Sequence, residues 1–324
     1  MRVLVTGHIG FIGSYFTRYL LAETSVDVVG FSRYSDTGNL HRLGANMAST
    51  RLRTVWGDLT DPCAVSGLCE GIDVVVNFAA KTFVDHSLKD RQPFIDSNII
   101  GADNLMQDAT NYGVKRFVQV STDEVYGQIL YGAYKEDALL QPRNPYSWSK
   151  ACADLNAIQR HRTYGFPCII TRTENNFGPW QHRQKVFPTF VRTALAGDPL
   201  PVYGDGQHVR CWLHVGEHCR AIWHLVTESF EHPCKWKFLG EVFHIAGEQE
   251  LTNLRLAQDI LFVLGKPKTQ IKHIDDHNIR PGHDRRYALD CSKLRATGFK
   301  IKQDLPALIT ETVKWYADHP TWTR

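Results

Sequence analysis

The sequence predicts an α/β fold, a doubly wound parallel sheet followed by a smaller α/β lobe at the C-terminal end. Three observations carry that expectation. Short apolar runs alternate with helix-length segments, as at Arg2-Val3-Leu4-Val5-Thr6, Val26-Asp27-Val28-Val29-Gly30-Phe31 and Asp73-Val74-Val75-Val76-Asn77. Such alternation is the signature of β–α–β units stacked into a parallel sheet. Glycines punctuate the first strand–helix junction as Gly7-x-x-Gly10-x-x-Gly13. Polar residues gather where the runs end, on the sheet edge at which open parallel sheets hold ligands.

Taken in order, the first strand runs into Gly7-His8-Ile9-Gly10-Phe11-Ile12-Gly13 and then a helix over residues 14–22. Glycines let the backbone turn tightly and approach a pyrophosphate, whose charge a helix N-terminus favours. In strand–turn–helix context this reads as a Rossmann-type dinucleotide site, with Gly7, Gly10, Phe11, Ile12 and Gly13 against the cofactor. The second strand ends in Ser32-Arg33, where an acid would bind the ribose hydroxyls of NAD and an arginine would suit a 2′-phosphate. With Ser32 and Arg33 there, the choice between NAD and NADP is left open. A third strand, Arg53-Thr54-Val55-Trp56, stops at Gly57-Asp58-Leu59, which places Asp58 and Leu59 near the adenine. The fourth ends in Phe78-Ala79-Ala80, small enough to let the nicotinamide half lie close. A helix over about 93–112 precedes the strand that opens at Arg116, and Cys168-Ile169-Ile170-Thr171-Arg172 is a further buried strand.

Residues 1–173 therefore read as the dinucleotide-binding domain. Residues 174–324 read mainly as a substrate lobe, with some segments returning to the first domain. In that lobe Asn175-Asn176-Phe177-Gly178-Pro179 reads as a turn-rich loop and 185–196 as a helix. Val202-Tyr203-Gly204-Asp205-Gly206 reads as a hairpin-like turn before a strand over 209–215. A helix over 254–264 and a basic loop, Arg280-Pro281-Gly282-His283-Asp284-Arg285-Arg286, complete it.

Composition narrows the function classes. The 324 residues are 43% hydrophobic and 22% charged, with a net charge of +3 and no basic run. That balance argues against nucleic acid and membrane surfaces as partners. The eight cysteines are scattered without a Cys-x-x-Cys pair, which fits free thiols in a reducing cytoplasm. No signal peptide or membrane span is expected. Cys211, His214, His218 and Cys219, and likewise His273, Asp275, Asp276 and His277, have metal-ligand residue types. Cys211 and His214 would face opposite sides of a strand and the second group reads as an exposed loop, so no metal is expected.

The chemistry concentrates between Val118 and Lys150. A strand turns polar there as Ser121-Thr122-Asp123-Glu124, and a helix opening at Pro145 puts Tyr146 and Lys150 on one face, four residues apart. An ammonium beside a phenol lowers a pKa that is otherwise about 10. Such a tyrosine takes the proton of an alcohol while hydride leaves its carbon. Taken alone, Tyr-x-x-x-Lys is common in helices, and Thr-Asp-Glu after a strand is more often a helix cap. Together, downstream of the glycine motif, they are hard to obtain by accident.

These motifs resemble the extended short-chain dehydrogenase/reductase superfamily. Within it Ser121-Thr122-Asp123-Glu124-Val125-Tyr126-Gly127, Asn175-Asn176-Phe177-Gly178-Pro179, Tyr203-Gly204-Asp205-Gly206 and Arg280 to Tyr287 resemble the dTDP-glucose 4,6-dehydratases, over nearly the whole chain. The resemblance implies a lyase acting on a nucleotide-diphosphate sugar with NAD. Tyr146 would take the C4 hydroxyl proton as the cofactor takes the C4 hydride, with Thr122 orienting the hydroxyl and Lys150 holding the phenolate and ribose. Glu124 would remove the C5 proton and Asp123 protonate the departing C6 hydroxyl, before hydride returns to C6. Lys81 and Asn98 would join the cofactor contacts. Thr82, Asn175, Asn176, Lys185, Val186, Arg210, Gln249 and Arg286 would bind the substrate. The sequence departs from the family at Ser32, at Lys81-Thr82-Phe83, at Gln249 and at Glu174. A 5,6-ene product would fit the same triplet, whereas a C4-epimerase would need Tyr146 and Lys150 but not the acid pair. A homodimer is expected, paired through the helices near 93–112 and 146–164.

Overall fold

The computed structural model describes residues 1–232, 237–275 and 284–323; Cys234, Asp276, His277 and residues 280–283 of the basic loop lie outside them. In chain order the strands are β1 (Arg2–Thr6), β2 (Asp27–Ser32), β3 (Leu52–Trp56), β4 (Val74–Asn77), β5 (Arg116–Thr122), β6 (Cys168–Thr173), β7 (Asn175–Phe177), β8 (Leu200–Tyr203), β9 (Val209–His214), β10 (Glu241–Ile245), β11 (Glu250–Thr252) and β12 (Ile271–Ile274). Seven of them form one parallel sheet in the order β10-β6-β5-β4-β1-β2-β3. The order reverses about β1, as expected of a doubly wound sheet, and β10 brings the chain back to it from beyond residue 174.

Alternation along the strands divides the core. Val3 and Val5 face one side, against Phe16 and Leu20 of the helix Phe11–Glu23 and Ile222 and Leu225 of the helix Val215–Glu231. Leu4 faces the other, where Leu105 and Met106 of the helix Gly101–Asn111 pack with Ala153 and Ala157 of the helix Pro145–Tyr164. Each such side chain fully withdrawn from water contributes roughly 1.5–3 kcal/mol. The register sets Thr6 beside Phe31 and Asn77, and Thr122 beside Thr173. The residues that follow these strands therefore share one edge of the sheet.

The helix expected over 93–112 is one run, with a π-helical turn at Ile95–Ile100 feeding Gly101–Asn111. The extra residue of such a turn re-aims side chains, here those around Asn98. Two expectations are corrected in the second lobe. Asn175-Asn176-Phe177 is a short strand, not a loop, because it pairs in parallel with β9. The turn at 204–206 is real, with Gly204 and Gly206 at φ 55° and 74°. It does not make a hairpin, since β8 pairs in parallel with β12 while β9 lies between β11 and β7. The core of this lobe is separate, built from Phe187, Trp212, Leu256 and Ile309. Among the described residues no helix is long and apolar enough to cross a membrane.

Candidate functional site

A cleft of about 420 Å³ runs along the carboxyl edge of the sheet, between it and the second lobe. At one end is the glycine turn. Gly7 has φ 66°, and a Cβ on Gly13 would meet the Gly7 carbonyl at 2.2 Å, so any side chain there would force the turn open. Gly10 caps the helix Phe11–Glu23 without a side-chain acceptor, which leaves its first amides to an anion in the cleft. Arg42, which the sequence reading missed, stands beside this turn. It is buried, donates to the Ile9 carbonyl at 3.0 Å and packs over Trp322, and its Nε has no hydrogen-bond partner among the described residues.

Ser32 and Arg33 both line the cleft, but neither is idle. The Ser32 hydroxyl is paired with His8 Nδ1 at 2.9 Å, and Arg33 grips Asp36 with two bonds of 3.0 Å. Asp36 also lines the cleft, so a carboxylate stands just beyond β2 although the strand itself ends in serine. Asp58, Leu59, Ala79, Ala80, Lys81 and Thr82 line the same wall. Asn98 is corrected to a supporting position. It lies behind the wall, where Oδ1 accepts from Lys81 N at 2.8 Å and Nδ2 donates to the Lys81 carbonyl at 3.0 Å and to Ser149 Oγ at 2.9 Å.

Thr122, Asp123, Glu124, Tyr146 and Lys150 all line the cleft. Thr122 is extended and does cap the turn Asp123–Tyr126, its Oγ1 accepting from Glu124 N at 3.3 Å. The same hydroxyl donates to Asp123 Oδ1 at 2.9 Å. Asp123 Oδ2 is buried with no hydrogen-bond partner among the described residues. Burial, and after it the charge of Glu124, push the Asp123 carboxyl up to about 7. Glu124 is also raised by burial, yet a hydrogen bond from Asn144 and the charges of Lys185 and Arg210 pull it back. Two adjacent carboxyls in different states are what an acid and a base require.

The helix that carries Tyr146 and Lys150 starts where sequence logic places it, with Asn144 and Ser147 in a capping box and Pro145 in the first turn. The expected lowering of the phenol is not found. Burial pushes Tyr146 well above 10 and the Glu124 charge adds to it, while a hydrogen bond with Thr122 opposes. Lys150 aims its ammonium at the Val120 carbonyl, 2.6 Å away, and burial lowers it to about 8. Spacing on a helix face sets both side chains along the cleft but says nothing of the desolvation that dominates both. Behind them Asp154 accepts from Ser121 Oγ and from Arg172 Nε, each at 2.9 Å, within the core.

From the second lobe, Asn175, Asn176 and Lys185 reach the cleft. Lys185 Nζ donates to the Thr82 carbonyl at 3.0 Å and lies over the Phe83 ring. Four expected substrate contacts do not line it. Val186 packs into the second core. Arg210 is buried over Tyr287 and donates to the Asp284 carbonyl at 2.8 Å, touching the carboxyl pair only through its charge. Gln249 is exposed, and Arg286 is held by Glu250, with Nε to Oε2 at 3.0 Å. Their motifs lie in segments whose path across the lobe spacing cannot reveal. Glu174, noted in the sequence only as a departure, lines the cleft at 4% exposure. Its Oε1 accepts from Leu289 N at 2.9 Å, and burial, then the Asp123 charge, raise it well above the carboxylate range.

Comparison with known proteins agrees with this geometry. The family model described as GDP-mannose 4,6 dehydratase matches residues 4–312. The dTDP-glucose 4,6-dehydratase of Streptomyces niveus is 40% identical over 328 residues, covering 99% of this chain and 94% of that protein. The low-salt glycan biosynthesis protein Agl12 of Haloferax volcanii is 42% identical over 316 residues, 98% of each chain. A crystal structure of a double mutant of DesIV, a dTDP-glucose 4,6-dehydratase from Streptomyces venezuelae, with NAD and DAU bound, superimposes with a TM-score of 0.93 at 40% identity, covering 99% of this chain and 98% of that one. By a family match and a likeness that both run almost end to end, the chain belongs to the GDP-mannose 4,6 dehydratase family, within the extended short-chain dehydrogenase/reductases.

Proposed function

We propose that the protein is an NDP-sugar 4,6-dehydratase, a lyase that converts a nucleotide-bound hexose to its 4-keto-6-deoxy form with NAD retained through the cycle. The observation that carries this reading is the pair at the end of β5. Asp123 is held near half-protonation at neutral pH beside Glu124, in one cleft with Thr122, Tyr146 and Lys150. A C4-epimerase has no use for such a pair.

The residues fit a dinucleotide. The glycine turn, the open amides after Gly10 and the buried Arg42 suit its pyrophosphate, Asp36 with Arg33 its adenosine ribose, and Ala79, Ala80, Lys81 and Lys150 the nicotinamide half. Bound NAD supplies a hydride acceptor at C4 and a donor at C6. The chain supplies the protons. Tyr146 takes the C4 hydroxyl proton as its phenolate, a state that burial and the Glu124 charge oppose and that the positive charge of bound NAD would favour. Thr122, bonded to Tyr146, orients that hydroxyl. Oxidation at C4 acidifies C5–H, which Glu124 removes. Asp123 passes its proton to the leaving C6 hydroxyl. Asn175, Asn176 and Lys185 stand on the second-lobe wall, where the nucleotide diphosphate is held.

The relatives' names make dTDP-glucose the first substrate to test. Lys81, Thr82, Phe83 and Glu174 give this cleft its own lining. Incubation with a panel of NDP-hexoses followed by product mass tests the reading: loss of one water supports it, and unchanged mass with altered stereochemistry overturns it. The division into a cofactor domain, 1–173, and a mainly substrate lobe, 174–324, follows from the same assignment, with β10 and the helix Val215–Glu231 returning to the first. We place the enzyme in the cytoplasm as a homodimer. Ile100, Trp148 and Leu155 stand exposed on the two helices expected to pair, and the solution mass at micromolar concentration decides it.

A further inference from the structure

The turn that opens the Tyr146 helix contains a side chain engaged at both ends. Asn144 is extended, at φ −145° and ψ 162°, and its Oδ1 accepts from Ser147 N at 2.8 Å. Its Nδ2 donates to Glu124 Oε2 at 3.1 Å. The orientation of the amide is fixed by these two neighbours: reversed, it would set oxygen against carboxylate and N–H against N–H. One residue thus joins the first turn of the helix bearing Tyr146 and Lys150 to the carboxylate at the end of β5.

We infer that Asn144 is a positioning residue for proton abstraction: it fixes the Glu124 carboxylate relative to Tyr146 and keeps Glu124, rather than Asp123, as the base of the pair. This rests on the dehydratase reading given above. Glu124 is half-buried on a flexible side chain, and the Asn144 amide is the one hydrogen-bond donor to its carboxylate among the described residues. Around it stand Asp123 and Tyr146, then Asp284 and Tyr287, and the cations Lys185 and Arg210. Both cations also serve backbone carbonyls, Lys185 that of Thr82 and Arg210 those of Val209 and Asp284. Asp123 receives the Thr122 hydroxyl on Oδ1 and the backbone amide of Glu124, and nothing on Oδ2. The charge-assisted amide bond is therefore the contact that separates the two carboxyls.

Two variants keep the helix cap and remove the donor. Asn144→Ser caps equally well but is too short to reach Glu124, and Asn144→Asp caps while setting a second carboxylate against it. The measurement is solvent deuterium incorporation at C5 of an NDP-hexose across pH 5–9, read against C4 oxidation in the same sample, with the melting temperature of each variant. A lost hydrogen bond to a charged group moves the acid limb of C5 exchange up by about one to two pH units in Asn144→Ser. Below that limb, exchange relative to C4 oxidation falls by roughly tenfold to a hundredfold. Asn144→Asp shifts the limb further in the same direction. An unmoved acid limb in either folded variant overturns the inference and leaves Asn144 as a cap alone. A parent protein that exchanges no C5 hydrogen with any NDP-hexose overturns the dehydratase reading instead, and the inference falls with it.

Discussion

Replacing Asp123 with asparagine preserves shape and the acceptor for the Thr122 hydroxyl, and removes only the ability to carry a proton or a charge. The structure sets the size of the effect. An aspartate with the ordinary value of 3.8 would be protonated in roughly one molecule per thousand at pH 7, whereas Asp123, pushed up to about 7, is protonated in about half. That is roughly a thousandfold gain in available acid, equivalent to about 4 kcal/mol. The stability consequence has a definite sign. The folded protein binds this proton more tightly than the unfolded chain, so the group's contribution falls as pH rises from about 4 through 7 and then levels off. Asp123→Asn abolishes that loss. Its melting temperature relative to the parent should climb between pH 4 and 7, by several degrees at the top. Elimination should slow by roughly a hundred- to ten-thousand-fold, while C5 exchange persists. Thermal scans at pH 5, 7 and 8.5, with product mass from an NDP-hexose, measure both. Dehydration at close to the parent rate, or a melting difference independent of pH, refutes the assignment of Asp123 as a buried acid.

Two other substitutions probe neighbouring groups. Tyr146→Phe should abolish oxidation at C4 with the fold intact, since only the titrating hydroxyl is lost; turnover near the parent rate by product mass would remove Tyr146 from its role. Glu174→Gln should stabilise the protein increasingly as pH rises above about 4.5, because a carboxyl raised by burial costs stability once the unfolded chain ionises. Melting temperatures at pH 4.5 and 8 check it, and equal differences at both would show that Glu174 is not held protonated.

Much of the first domain is legible in the sequence because its signals are local. A glycine triplet between an apolar strand and a helix needs no distant partner to be read, and a capping residue followed by proline marks the start of the Tyr146 helix. The second lobe is less legible because its strands are short and their partners remote. β8 and β12 are four residues each and pair from about seventy positions apart, so their periodicity cannot distinguish a parallel ladder from a hairpin. The same remoteness misplaces Gln249 and Arg286. Asp36, Arg42 and Glu174 escaped for a different reason. Each looks like an ordinary surface charge until the fold turns it into the cleft.

The carboxyl pair shows where sequence reasoning reaches its limit. Asp123 and Glu124 are neighbours on one turn, and nothing in the string Ser121-Thr122-Asp123-Glu124 says which is the acid. The fold decides by unequal supply. Glu124 receives the amide of Asn144 from the adjoining helix, together with the field of Lys185 from the second lobe, while the charge of Arg210 acts on both carboxyls. Asp123 is turned inward, where its second oxygen meets no donor among the described residues. The ionised neighbour then raises Asp123 further. Acid and base are therefore made from three separate parts of the chain, the end of β5, the cap of the next helix and the second lobe. A change that loosens any one of them should blur the difference between the two carboxyls before it disturbs the fold.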